Sequence, residues 1–469
     1  MDTPICDFVR DYRAREMLRL HMPGHKGVPR LGMEPLDITE VQGADSLYEA
    51  EGIIRSSEEN ASRLFGCPTF YSTEGSSQCI RAMLHLATVG RSRVVAAARN
   101  VHKTFLSAAA LLDLDVRWIY GEGPGSYLSC DLDLAAVDAF LAEHRPGALY
   151  VTSPDYLGAV ADIAGLAKVC HRHGALLLVD NAHGAYLRFL KPSRHPVDLG
   201  ADLCCDSAHK TLPVLTGGAY LHIRAGHKTE GIACSALSVR KPQAATDTKT
   251  PVCGLARDNL VFCAKDALAL FGSTSPSYLI LQSLDRANAY LAGDYPSVLE
   301  RFVAALDDLK VRLSVKGWAL VGEDPLKLTI RAGAAGYTGM ELAQLLRERG
   351  IECEFADPDF LVLMFTPENG VCALERLERA LEEIVLRAPL DAAAPMPKPG
   401  VRVMTIREAM LSRTVTLPVE ACIGRVLAAA CVGCPPAVPI LVCGEWIDEA
   451  ALSCFRYYGI RCCAVVDER

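Results

Sequence analysis

The chain has 469 residues, half of them hydrophobic, and a formal net charge of −8. That length holds one large domain with one or two smaller ones, and the apolar fraction is ample for their cores. The acidic balance, with no basic and aromatic patch, argues against nucleic acid or an anionic membrane as a main partner. The charged N-terminus lacks the apolar stretch of a signal peptide, and no apolar run reaches membrane-spanning length. Nineteen scattered cysteines, an odd number, suit a reducing cytoplasm rather than a disulfide framework. Cys431 and Cys434 form a lone Cys-x-x-Cys, weak evidence for zinc even with Cys422, Cys443 and Cys454 nearby, because a structural site needs four ligands. No metal is expected.

Residues 1–55 read as an arm, without clean periodicity, that wraps the surface or crosses to a partner subunit. A large α/β domain is expected over 56–289. It starts with a helix at Ser56, whose hydroxyl is placed to cap it ahead of Glu58 and Glu59. Phe70–Ser77 turns from strand to loop. Gly75, Ser76 and Ser77 precede an amphipathic helix over Gln78–Thr88, where backbone amides and hydroxyls make a phosphate seat, although the same sequence also serves as an ordinary helix cap. Strands and helices then alternate: strands over Arg93–Ala98, Val116–Tyr120, Ala148–Thr152 and Ala175–Asp180, with helices between them. Repeated β-α units imply a mostly parallel sheet covered on both faces. After a strand over Gly218–Ile223, Arg224–Asn259 is polar and irregular. The loop Gly272-Ser273-Thr274-Ser275-Pro276 opens another helix and is a second phosphate-seat candidate. A smaller α/β unit spans 290–388, with strands at Leu326–Arg331, Ile351–Phe355 and Leu361–Thr366. Residues 389–400 are an Ala/Pro linker. Residues 401–469 form an α/β appendage with a strand at Ile440–Val442.

The chemistry gathers at Asp202–Thr211, DLCCDSAHKT. A buried apolar strand opens there into Ser207, His209, Lys210 and Thr211. A desolvated ammonium at that lip has a lowered pKa and becomes nucleophilic, as a Schiff-base lysine must be. A surface turn with an ordinary lysine is the plainer alternative. Upstream, ALLLVDNAH ends an apolar strand in Asp180, with His183 three residues on. Ligands of open α/β sheets bind at the carboxyl ends of strands. An aspartate at one such end and a lysine 30 residues later, past the next strand, suit pyridoxal 5'-phosphate (PLP): the carboxylate keeps the pyridine nitrogen protonated and the lysine binds the aldehyde. His102 also follows a strand, and is either a ring that stacks on the cofactor or a loop histidine.

With these residues in view, the chain resembles the Orn/Lys/Arg decarboxylase family of fold type I PLP enzymes, in particular the short bacterial branch without an N-terminal wing domain. The resemblance rests on Met22-Pro23-Gly24-His25-Lys26-Gly27, Ser207-Ala208-His209-Lys210-Thr211, Ser273-Thr274-Ser275-Pro276 and the late Pro435-Pro436 to Gly444-Glu445 stretch, in that order along nearly the whole chain. It implies a PLP-transferase-like large domain whose sheet has one antiparallel strand. It implies Lys210 as the Schiff-base residue, Asp180 at the pyridine nitrogen, His183 beside the ring substituents and His102 stacked on the ring. Gly75, Ser76, Ser77, Ser207 and His209 would hold the phosphate. Thr274 and Ser275 would reach a phosphate in a neighbouring subunit, hence a homodimer that can assemble further, and Glu445 would face the distal cation of the substrate.

The implied reaction is decarboxylation of arginine, or else lysine or ornithine, to the amine used in polyamine biosynthesis, with Lys210 or a nearby histidine as the proton donor to Cα. Two departures stand out. Arg224–Asn259 is longer than the short branch carries, and Tyr48 stands where a histidine is expected. The rival readings are another PLP reaction, such as transamination or retro-aldol cleavage, and a non-catalytic regulatory homologue. No arginine suited to gripping an α-carboxylate is identifiable for the first, and retention of Lys210, Asp180 and His183 weighs against the second.

Overall fold

The structure is a computed structural model that describes residues 1–121, 126–224, 257–390, 394–430 and 437–467. Most of the Arg224–Asn259 stretch, Cys431, Cys434, Pro435 and Pro436 lie outside the described residues. The strands in chain order are β1 (Thr69–Ser72), β2 (Val94–Ala98), β3 (Asp115–Ile119), β4 (Ala148–Thr152), β5 (Leu176–Asp180), β6 (Leu203–Asp206), β7 (Ala219–Ile223), β8 (Leu320–Val321), β9 (Lys327–Arg331), β10 (Phe355–Ala356), β11 (Phe360–Met364), β12 (Thr414–Pro418) and β13 (Cys462–Val466). The chain divides into two compact units, Met1–Ser92 with Gly174–Pro296, and Arg93–His173 with Ser297–Arg469. The class is α/β with a mostly parallel large sheet. Among the described residues, no helix is long and apolar enough to cross a membrane.

In the first unit the strand order is β1-β7-β6-β5. β5 runs parallel to β6, while β7 runs antiparallel to both β6 and β1, which is the single antiparallel strand expected. Every residue of β5, β6 and β7 is buried, so these segments are continuous apolar runs rather than alternating ones, as strands covered on both faces are. The arm is more regular than expected. It opens with a helix, Pro4–Ala14, started by a proline that needs no donor and burying Ile5 and Val9. Asp285 anchors it from the helix Tyr278–Leu291: its Oδ2 accepts from Ile5 and Cys6 N at 3.0 Å each, and its Oδ1 accepts from Ser57 Oγ at 2.6 Å. Asp285→Ala should therefore leave buried donors without acceptors and cost about 2–4 kcal/mol, measured as a fall in unfolding temperature with faster proteolysis of the arm.

The helix expected from Ser56 is Ile53–Phe65, and its cap is Gly52. Asp45 supplies the acceptor: its carboxylate takes the amides of Gly52 and Ile54 at 2.8 Å each. Ser56 Oγ instead donates back to Gly52 O at 2.9 Å. The local capping pattern misplaced the start by a turn because the real acceptor is a loop residue.

In the second unit β4, β2 and β3 are parallel neighbours, and β10-β11-β9-β8 form an antiparallel sheet. β12 pairs with β13 in the C-terminal part. The strand expected over Ile351–Phe355 shrinks to Phe355–Ala356. Ile440, Leu441 and Val442 form no strand although all three are buried. They are apolar because they fill a core, which looks like a strand in sequence. Cys422 and Cys454 lie in that same apolar core.

Asp357, which precedes β11 on the turn from β10, accepts from Asp359 and Phe360 N at 2.8 and 2.7 Å through Oδ1. Its buried Oδ2 meets no hydrogen-bond partner among the described residues, and burial pushes its carboxyl up to about 6. The folded protein thus holds this proton at a pH where the unfolded chain has released it. The favourable contribution is present at low pH and is lost as pH rises through about 6. Asp357→Asn should be neutral near pH 4 and stabilising by about 2 kcal/mol at pH 7.5, as read from unfolding temperatures at both values.

Candidate active site

β5 ends in Asp180, which is 2% exposed. Strand pairing sets Asp180 opposite Cys205. The Asp180 Oδ1 accepts from Ala182 N at 3.2 Å and lies 3.7 Å from Cys205 Sγ. β6 ends one residue later, at Asp206, and Ser207 leads into the one-turn helix Ala208–Thr211, which carries His209 and Lys210. Lys210 Nζ lies 2.9 Å from Nε2 of the buried His183. The lysine is half-buried, not sealed in the interior as the apolar run before it suggested. Its distinguishing feature is the imidazole within proton-transfer distance.

Facing the lysine turn in sequence order is the helix Gly75–Thr88. Gly75, Ser76 and Ser77 form its first turn instead of preceding it. The positive end of its dipole favours an anion there. Gly75 has φ +71°, and a Cβ built on it would meet nothing within 4 Å, so space lies open beside it. Ser207 Oγ donates to Ser76 Oγ at 2.7 Å, joining this helix start to the lysine turn. The His209 Nδ1 is 3.0 Å from Gly218 O; burial lowers the imidazole pKa, so a neutral ring donates through Nδ1–H. Gly217 O accepts from Gly75 N at 2.7 Å. Thr274 and Ser275 are exposed, and their loop is held by Glu74, whose carboxylate accepts from Ser273 N. Tyr48, at the position expected for histidine, has its OH 2.8 Å from Gln78 Nε2, on the same helix.

A second set of residues was not singled out from sequence. Asp206 is fully buried, with His195, His222 and Asn181. Its Oδ2 lies 3.1 Å from His195 Nε2 and 3.0 Å from His222 Nε2, and its Oδ1 accepts from Asn181 Nδ2 at 2.7 Å. Burial alone would raise this carboxyl, but the two imidazoles more than offset it and hold it well below the usual range. The signal was present in the sequence as an acid ending one apolar strand, LCCD, and a histidine inside another, AYLHI.

His102 and Glu445 belong to the second unit. His102 caps the helix Lys103–Leu112, its Nδ1 accepting from Thr104 N at 3.2 Å. Glu445 is 4% exposed and accepts from Val442 N at 3.0 Å. Burial raises its carboxyl, while Arg99 pulls it back. Arg99 itself donates to Pro439 and Ile440 O at 2.9 and 3.0 Å.

The fold is that of solved amino-acid decarboxylases: the lysine decarboxylase of Francisella novicida superposes with a TM-score of 0.75 at 16% identity, over 99% of this chain and 81% of that one. Residues 3–318 match the family "Orn/Lys/Arg decarboxylase, major domain", and the chain belongs to that family. Among curated relatives, an arginine decarboxylase of Bacillus subtilis is 28% identical over 96% of this chain and 92% of its own length. An arginine decarboxylase of Halalkalibacterium halodurans is 27% identical over 97% of this chain and 93% of its own.

Proposed function

We propose that this chain decarboxylates a basic amino acid with PLP, arginine first and then lysine or ornithine, releasing the amine and CO2. The observation that carries the reading is Lys210 Nζ, 2.9 Å from His183 Nε2, on the turn after the strand that pairs with the one ending in Asp180. The family supports the reaction type, and the two arginine decarboxylases favour arginine.

The residues fit the cofactor. The open space beside Gly75, the amides of its helix and the paired hydroxyls of Ser76 and Ser207 suit a phosphate dianion. The buried Asp180 suits a pyridinium. When bound, PLP supplies an electron sink for the bond to the leaving carboxyl group.

The chain's own residues do the rest. Asp180 holds a proton on the ring nitrogen. Lys210 binds the aldehyde, and His183 Nε2 can take the Nζ proton that a nucleophilic amine must lose. Ser77 and His209 would complete the phosphate seat, and the family resemblance would give His102 the role of stacking on the ring. After CO2 leaves, Lys210 or a nearby histidine returns a proton to Cα. By the same resemblance, the buried Glu445 would meet the distal cation of the substrate. Thr274 and Ser275, exposed in the single chain, would reach the phosphate of a second copy in a homodimer.

The test is incubation of the PLP-supplied protein with arginine, lysine and ornithine separately, with products weighed by mass spectrometry. Agmatine from arginine is expected. No amine from any of the three, with bound PLP verified, would overturn the reading.

A further inference from the structure

The Asp206 hub has no part in the reaction as outlined, yet it is a fully buried acid met by several side chains. Burying a carboxylate costs several kcal/mol unless donors meet it. Here four groups do: His195 and His222 on Oδ2, Asn181 at 2.7 Å and the Cys204 thiol at 3.7 Å on Oδ1. Their places in the chain matter. Asn181 directly follows Asp180 at the end of β5. Asp206 ends β6, four residues before Lys210. His222 lies in β7, opposite Cys204 of β6, and His195 lies on the connection from β5 to β6. One carboxylate therefore ties together the segments that present Asp180 and Lys210.

Asp206, His195 and His222 have the composition of a metal site, and both ring nitrogens lie at hydrogen-bond distance from Oδ2. The far nitrogen of His222 is 3.0 Å from Thr69 Oγ1. Thr69 gives its hydroxyl hydrogen to Cys67 O at 3.0 Å, and Nε2 is the His222 ring nitrogen aimed at Asp206.

We propose that Asp206 is a positioning residue: its hub locks the end of β5 to the lysine turn, so that Asp180 and Lys210 engage one flat ring together, at its nitrogen and at its aldehyde carbon. This rests on the PLP reading above.

The test uses the full-length apo protein. PLP is added, and the rate at which the visible band of the lysine adduct grows is compared with the unfolding temperature. Asn181→Ser cuts the tie on Oδ1 at little cost in volume. It should slow band growth about tenfold or more, with an unfolding temperature within about 4 °C of the parent. His222→Ala should slow it similarly, and His222→Gln, whose amide can reach the place of Nε2–H, should restore it to within about twofold of the parent.

Parent-like rates in Asn181→Ser and His222→Ala, or a lowered unfolding temperature with no change in rate, would make the hub merely structural and overturn the proposal. Stoichiometric metal in the purified parent would overturn it as well. A parent protein that develops no band at all fails the PLP reading and takes the proposal with it; a normal parent band with unaffected variants fails the proposal alone.

Discussion

Lys210→Ala is expected to lose the visible cofactor band and to cut turnover by at least about 10⁴-fold, the scale seen when a covalent catalytic group is removed. The loss should fall on chemistry and not on folding, because Lys210 is only half-buried at the end of a one-turn helix, so truncation opens no sealed cavity. Lys210→Arg should not rescue it. A guanidinium keeps the charge beside His183 but cannot give up a proton to become a nucleophile. An absorbance scan with added PLP and a product assay decide the matter together. Turnover retained in Lys210→Ala would remove this lysine from the mechanism and leave the family's reaction without its anchor in this chain.

Asp180→Asn should lower turnover by about 10³-fold while the protein still captures PLP. The substitution keeps the shape and the acceptor that meets Ala182 N, so the strand end should hold its form. What disappears is the charge that keeps the ring nitrogen protonated, and removing one preorganised electrostatic partner costs about 10²–10³ in rate. The two variants separate capture from catalysis: Lys210→Ala fails at both, Asp180→Asn at the second only. A loss of less than tenfold in Asp180→Asn would mean that the nitrogen does not depend on this carboxylate.

The positions of these two residues at strand ends were legible in the sequence for a simple reason. Their chemistry is local to a strand end, and a continuous apolar run such as LLLVD or LCCD announces a buried parallel strand. The alternation of such runs with helices determined the α/β class, and the order of four motifs determined the family. The roles proposed for Lys210, Asp180, Ser76 and Ser207 rest on that frame.

What only the tertiary structure decided were the pairings between segments distant in sequence. The proximity of Lys210 to His183 depends on the register of β5 against β6. The first amides of Ile53–Phe65 are taken by a loop aspartate, Asp45, not by the nearby serine. The helix that opens the arm, Pro4–Ala14, is anchored by Asp285, 280 positions from Ile5, which receives its first amides. The Asp206 hub was invisible because a lone buried acid or histidine looks like an error in an apolar strand until its partners are found. Periodicity reports which face of an element is buried, but a hydrogen bond between side chains from different elements leaves no periodic trace; only the fold, by bringing their ends to one place, supplies the partner that makes a buried charge affordable.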